Sequence, residues 1–196
     1  MVAAFAARCV PRELVGGRGC RNKFRPTGGP LKFAGARSPR LVLDTNIVLD
    51  CLVFDDPMTR ELRAAIEAGH VGVLVHQHTI DELERVLAYA QCHLAPIEQR
   101  RVLERYLAVA SIAPMPDGFS RDALLVPSGF PRCRDRDDDL FLALAYHTHA
   151  SALVTKDKAL LQLRRKVRHF GFAILAPGEL PSLQNARALG SSSEVD

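Results

Sequence analysis

Five carboxylates mark the places in this sequence where chemistry could be done: Asp44, Glu82, Asp138, Asp139 and Asp157. Asp44 ends the apolar run "LVLD" and is followed by Thr45 and Asn46. Glu82 completes "TIDE", Asp138 and Asp139 close the acidic run "DRDDD", and Asp157 sits in "LVTKDKALL". Each has an ordinary reading on its own. Asp44 could be a turn or cap acid, and Asn46 reads as the N-cap of the helix that follows, its side chain accepting from a free backbone N–H. Thr79-x-x-Glu82 has the form of a capping box. Asp157 follows a strand and precedes a helix, which is an N-cap position. Three consecutive acids at a helix start exceed what the helix dipole rewards, because each added one raises like-charge repulsion.

Taken together, the acids fall on one prospective rim. Carboxylates that converge without an intervening Lys or Arg repel one another and have raised pKa values. Hard cations with oxygen ligands, Mg²⁺ or Mn²⁺, relieve that repulsion. One or two such ions can turn water into a nucleophile and neutralise a phosphoryl transition state.

The elements needed to gather these acids can be read from the apolar pattern. Strands are expected at Leu41–Leu43, Val71–Val75, "SIAP" (111–114), Ala152–Thr155 and Phe172–Leu175. Helices are expected from Asn46 to the "DDP" break, then over Met58–Ala68 with Gly69 as stop, Thr79–Tyr89, Pro96–Ala110, Asp139–His149 and Asp157 to about Arg168. The long stretch Pro116–Arg134 reads as loop. "VGVLV" is continuously apolar and β-branched, as a strand buried on both faces requires. This β-α alternation predicts an α/β fold, a three-layer α/β/α sandwich around a central, mostly parallel sheet. In such sheets ligands bind beyond the carboxyl ends of the strands, where Asp44 and Asp157 fall.

Length, charge and cysteines narrow the class. With 196 residues and 47% hydrophobic content, one soluble domain is expected. No apolar run approaches bilayer length, so no membrane association is expected. The net charge of +4 is misleading, since residues 1–40 hold nine of the 26 basic residues and one of the 22 acids. The remainder is acidic, 21 against 17, and whole-chain charge is weak support for nucleic-acid binding. Residues 1–40 are Gly-, Pro- and Arg-rich and read as a disordered basic extension, or as sequence upstream of the true start. Arg8 and Arg12 interrupt any secretory apolar core. The domain is expected over 41–177, with a flexible tail over 178–196. Five scattered cysteines without a C-x-x-C pair argue against a disulfide framework or structural zinc and suit a reducing cytoplasm. His76 and His78 lack a third zinc ligand at suitable spacing. "LRRKVRH" (163–169) reads as a solvated helix face that could touch phosphates.

The sequence resembles the PIN-domain family of metal-dependent nucleases, particularly its toxin (VapC-like) branch of toxin–antitoxin pairs. The residues that carry the likeness are "VLDTNIVLD" (42–50), "HTIDELERVL" (78–87), "CRDRDDDLFLALA" (133–145) and "LVTKDKALL" (153–161), in family order. The resemblance implies that Asp44, Glu82, Asp138 or Asp139, and Asp157 are the catalytic and metal-ligating acids. Thr45, Asn46 and Thr155 would support them by hydrogen bonds. It further implies Mg²⁺- or Mn²⁺-dependent hydrolysis of RNA, a small cognate antitoxin as partner, and a homodimer.

Rival folds fail on residue order. A haloacid-dehalogenase-like phosphatase needs an acid two residues after the first Asp, where Asn46 stands, and its lysine should precede the late acidic pair. A response-regulator receiver needs an Asp after its middle strand, and "VGVLVHQHT" has none. The rival from another class is a non-catalytic RNA- or antitoxin-binding module, in which Asp44→Ala would leave function intact.

Overall fold

The computed structural model describes residues 38–180. Five strands form one sheet: β1 (Arg40–Leu43), β2 (Gly72–Val75), β3 (Ala110–Ile112), β4 (Ala152–Val154) and β5 (Ala173–Leu175). Their order is β3-β2-β1-β4-β5, and every neighbouring pair is parallel. The chain steps outward from β1 to β3, then returns to lie beside β1 and steps outward the other way. Right-handed crossovers in opposite directions put helices on opposite faces, which produces the three layers.

One face carries α1 (Thr45–Leu52), α2 (Arg60–Glu67), α3 (Gln77–Leu87) and α4 (Pro96–Leu107). The other carries α5 (Asp139–His147) and the short α6 (Lys158–Gln162) and α7 (Arg164–Val167). The period-2 alternation of strand side chains divides the core accordingly. Leu41, Leu43, Val73, Val75 and Val154 pack with Ile47, Leu62, Leu83 and Leu103. Val42, Leu74, Leu153 and Ile174 pack with Phe141, Leu142, Leu144 and Val167. α5 is apolar almost all round because it is buried against the sheet and the long loop: Leu140 to Ala145 are all buried.

Several expected boundaries shift. The helix expected from Asp157 to Arg168 is broken at buried Leu163, which divides α6 from α7. α2 begins at Arg60, after a 3₁₀ turn at Pro57–Thr59, and is followed by Gly69 at φ 69°, a left-handed turn that glycine takes without strain. Packing continues past residue 177: Glu179 receives two hydrogen bonds from Arg164, and Leu180 is buried. The extension and tail expected over 1–40 and 178–196 otherwise lie outside the described residues. Among the described residues, no helix is long and apolar enough to cross a membrane. Cys51, Cys92 and Cys133 are buried free thiols.

Candidate metal centre

Asp44 stands where β1 gives way to α1, at the switch point between β1 and β4. Its N–H donates to the Val154 carbonyl at 3.0 Å, so the sheet ladder itself fixes its backbone. Its extended conformation makes it, rather than Asn46, the N-cap of α1: Oδ1 accepts from the Asn46 N–H at 3.4 Å. This corrects the sequence reading. The polar "DTN" triplet offers two capping residues, and the strand's end decides that the first is used. Asn46 is exposed in the first turn, while Thr45 is buried.

Thr155 joins two of the acids. Its hydroxyl donates to Asp44 Oδ2 at 2.7 Å and accepts from the Asp157 N–H at 2.9 Å. Asp157 caps α6 as expected. A single oxygen, Oδ1, takes both the Ala159 and Leu160 N–H groups, at 2.7 and 2.9 Å.

Asp138 and Asp139 part company at the start of α5. Asp139 is buried and absorbed by the preceding loop. It accepts from the Cys133 N–H at 2.6 Å and pairs with Arg132 and Arg136, each at 3.3 Å. Asp138, half-buried, makes no capping bond. Its Oδ2 faces the Cys133 thiol at 3.4 Å. Ligand atoms of Cys133, Asp138 and Asp157 all lie within 4.8 Å of one another.

The electrostatics follow from that gathering. Burial, then the charges of Asp44, Asp157 and Asp135, push the Asp138 carboxyl up to about 7, against a contribution from the Cys133 thiol that lowers it. Burial raises Asp44 as well, opposed chiefly by the Thr155 hydrogen bond, with the Asp157 charge adding to the rise. Burial also pushes the Cys133 thiol up to about 11, so without a metal it is a neutral S–H donor at neutral pH. Converging carboxylates, two of them raised first by burial and then by their neighbours' charges, fit a hard divalent cation.

Glu82 is placed at the side of this group. The capping box of α3 is formed by His76 and Thr79, not by Thr79 and Glu82. The His78 N–H donates to His76 Nδ1, and the His76 N–H donates to the Thr79 hydroxyl at 3.1 Å. Glu82 is therefore one turn further along and free of capping. Its Oε1 accepts from the Thr45 hydroxyl at 3.4 Å and its Oε2 meets Arg121 at 3.3 Å. Burial raises its carboxyl, while Arg121 opposes the rise and the charge of Asp44 adds to it. The capping box was misread because a histidine is an uncommon N-cap.

Sequence reading missed three participants. Arg121, on the loop between β3 and α5, brings a cation to Glu82 and Asp137, so the rim is not free of basic residues. Cys133 contributes the thiol beside Asp138. Lys156, next to Asp157, reaches back to Asp50 at 2.7 Å and to Asp56. Only the proximity of Cys133 and Lys156 to acidic motifs hinted at any of these. His76 and His78 stack edge-on with centroids 5.0 Å apart and pack against Phe119. Among the described residues they join no group of metal ligands. The "LRRKVRH" face is exposed at Arg165, Lys166, Arg168 and His169, as expected of a solvated surface.

A model of the PIN domain matches residues 40–159, more than half of the chain, a span that includes Asp44, Glu82, Asp138, Asp139 and Asp157. No curated protein matches the chain.

Proposed function

Because the chain belongs to the PIN domain family, whose members are generally nucleases, we propose that it is a Mg²⁺- or Mn²⁺-dependent endoribonuclease that hydrolyses RNA phosphodiester bonds. The observation that carries this reading is the closeness of Asp138 and Asp157, whose ligand atoms lie within 4.8 Å of each other and of the Cys133 thiol. Asp44 is tied to Asp157 through the Thr155 hydroxyl, and no basic side chain is paired to any of the three carboxylates among the described residues.

These three would hold the cation, with Glu82 at its flank; the bound ion supplies a water nucleophile at neutral pH and neutralises charge on the phosphate. The chain's own contribution is preorganisation. Thr155 holds one oxygen of Asp44 and the backbone of Asp157 with a single hydroxyl. The α6 N–H groups fix Asp157, and Thr45 orients Glu82. Asp138, its carboxyl pushed up to about 7, is partly protonated at neutral pH and would release that proton to bind a cation. Asp139 is assigned a different task, that of anchoring the loop that carries Cys133.

We assign the protein to the toxin side of a toxin–antitoxin pair, with a small antitoxin as partner and a homodimeric state. What supports this is the order and wording of its four acidic motifs.

The test is cleavage of a mixed RNA pool in Mg²⁺ or Mn²⁺ by wild type and Asp44→Asn. Wild-type cleavage should vanish in EDTA, and the variant should be slower by about 10²–10³-fold, the effect of losing one charge-stabilising group in a hydrolytic site. Absence of cleavage in either metal, or equal rates for the two proteins, overturns the reading.

A further inference from the structure

An RNA strand approaching this site meets carboxylates of its own sign, so a cation must also come from the protein. Four arginines lie on the segment that leads to α5. Arg121 is engaged by Glu82 and Asp137, and Arg132 and Arg136 are both engaged by Asp139. Arg134 is exposed and, among the described residues, has no carboxylate or hydrogen-bond partner. It lines an open cleft of about 600 Å³ with Asp135, Asp137, Asp138 and Asp157, and the other arginine there, Arg136, is held by Asp139. The other three would have to give up an ion pair to take a phosphate. Arg134 gives up only water.

We propose that Arg134 is the phosphate-binding residue of this cleft, gripping the RNA backbone beside the acid cluster through its guanidinium fork. The assignment rests on the reading of RNA as the substrate. A guanidinium presents paired N–H donors in a plane that matches two phosphate oxygens, which a point-charge ammonium does not. Contacts of this kind position the strand without reading its bases. Arg134 therefore sets how tightly and in what register the backbone lies over Asp138 and Asp157, and does not select a sequence.

The experiment is fluorescence-anisotropy binding of a short single-stranded oligouridine to the full chain, with Ca²⁺ in place of Mg²⁺, over a series of salt concentrations. Wild type, Arg134→Gln, Arg134→Lys and Arg100→Gln are compared, the last removing an equal charge from the exposed face of α4. Arg134→Gln should weaken binding by about fivefold, the scale of one exposed ion pair. It should also reduce the slope of log affinity against log salt by about 0.7, the share of one phosphate contact on a single strand. Arg134→Lys should keep the slope, and Arg100→Gln should match wild type. All four should share one Tm. An unchanged slope in Arg134→Gln, an equal loss in Arg100→Gln, or a wild type that binds no oligouridine overturns the proposal. A wild type that binds through Arg134 but cleaves nothing would leave this assignment standing and remove the nuclease reading instead.

Discussion

Two acidic clusters lie side by side at the carboxyl end of the sheet, and they behave in opposite ways. Asp50 and Asp56 share the Lys156 ammonium. Asp56 is consequently held below the usual carboxylate range, first by its hydrogen bond from Lys156. One residue further along the chain, Asp157 joins Asp138 and Asp44, and two of those carboxyls are raised. Both clusters draw on the same short "TKD" segment. What separates them is whether a fixed cation is built in. The first is a structural clasp between β4 and the end of α1; the second has a charge deficit that a mobile cation can fill.

The largest effect should separate Asp138 from its neighbour. On the proposed mechanism, Asp138→Asn lowers RNA cleavage by about 10²-fold or more, while the metal-free protein melts no lower than wild type. Asp139→Ala should do the reverse. It leaves the buried Cys133 N–H without its acceptor and costs about 1–3 kcal/mol of stability in chemical denaturation. If Asp139→Ala retains wild-type stability and Asp138→Asn retains cleavage, the division of roles between these two acids is wrong.

A middle-sized effect concerns pH. Asp138 titrates near 7 in the folded protein and at 3.8 in its unperturbed state. Between those values the folded chain binds more protons than the unfolded one, so stability falls as pH rises from about 4 to 7 and levels off above. Asp44 acts in the same direction. Thermal melts in EDTA should show this decline, Mg²⁺ should offset it most at pH 8, and Asp138→Asn should flatten it. Asp56 has the opposite sign: its contribution is present above its unfolded value and fades as pH falls through its lowered one.

The smallest effect tests the clasp. Lys156→Met leaves Asp50 and Asp56 without their cation and should lower Tm by a few degrees at pH 7. The gap from wild type should narrow below about pH 4, where carboxylates take up protons. A gap independent of pH would mean that Lys156 acts through packing alone.

Much of this was legible beforehand. Continuous β-branched runs separated by 3.6-periodic segments specify a parallel sheet between helices, because only that arrangement buries both strand faces. Asp157 as a cap was readable from its position between an apolar strand and an apolar helix. Other local readings failed where two polar residues competed for one role. Asn46 yielded the cap to Asp44, and Thr79 accepted a bond from His76 instead of opening a box with Glu82. Such choices turn on where the strand ends, and a strand ends where its partner's hydrogen bonds stop.

The sequence by itself determined the layers and the succession of strands and helices, since these follow from periodicity and chain order over a few residues. Tertiary structure decided which acids are neutralised. Arg121 reaches Glu82 across 39 residues and Lys156 reaches Asp56 across 100. Asp139 is claimed by Arg132 and Arg136, while Asp138 beside it is turned towards Asp44 and Asp157. Charge acts through space and falls off over a few ångströms, so no spacing along the chain could say which carboxylate would be left without a cation.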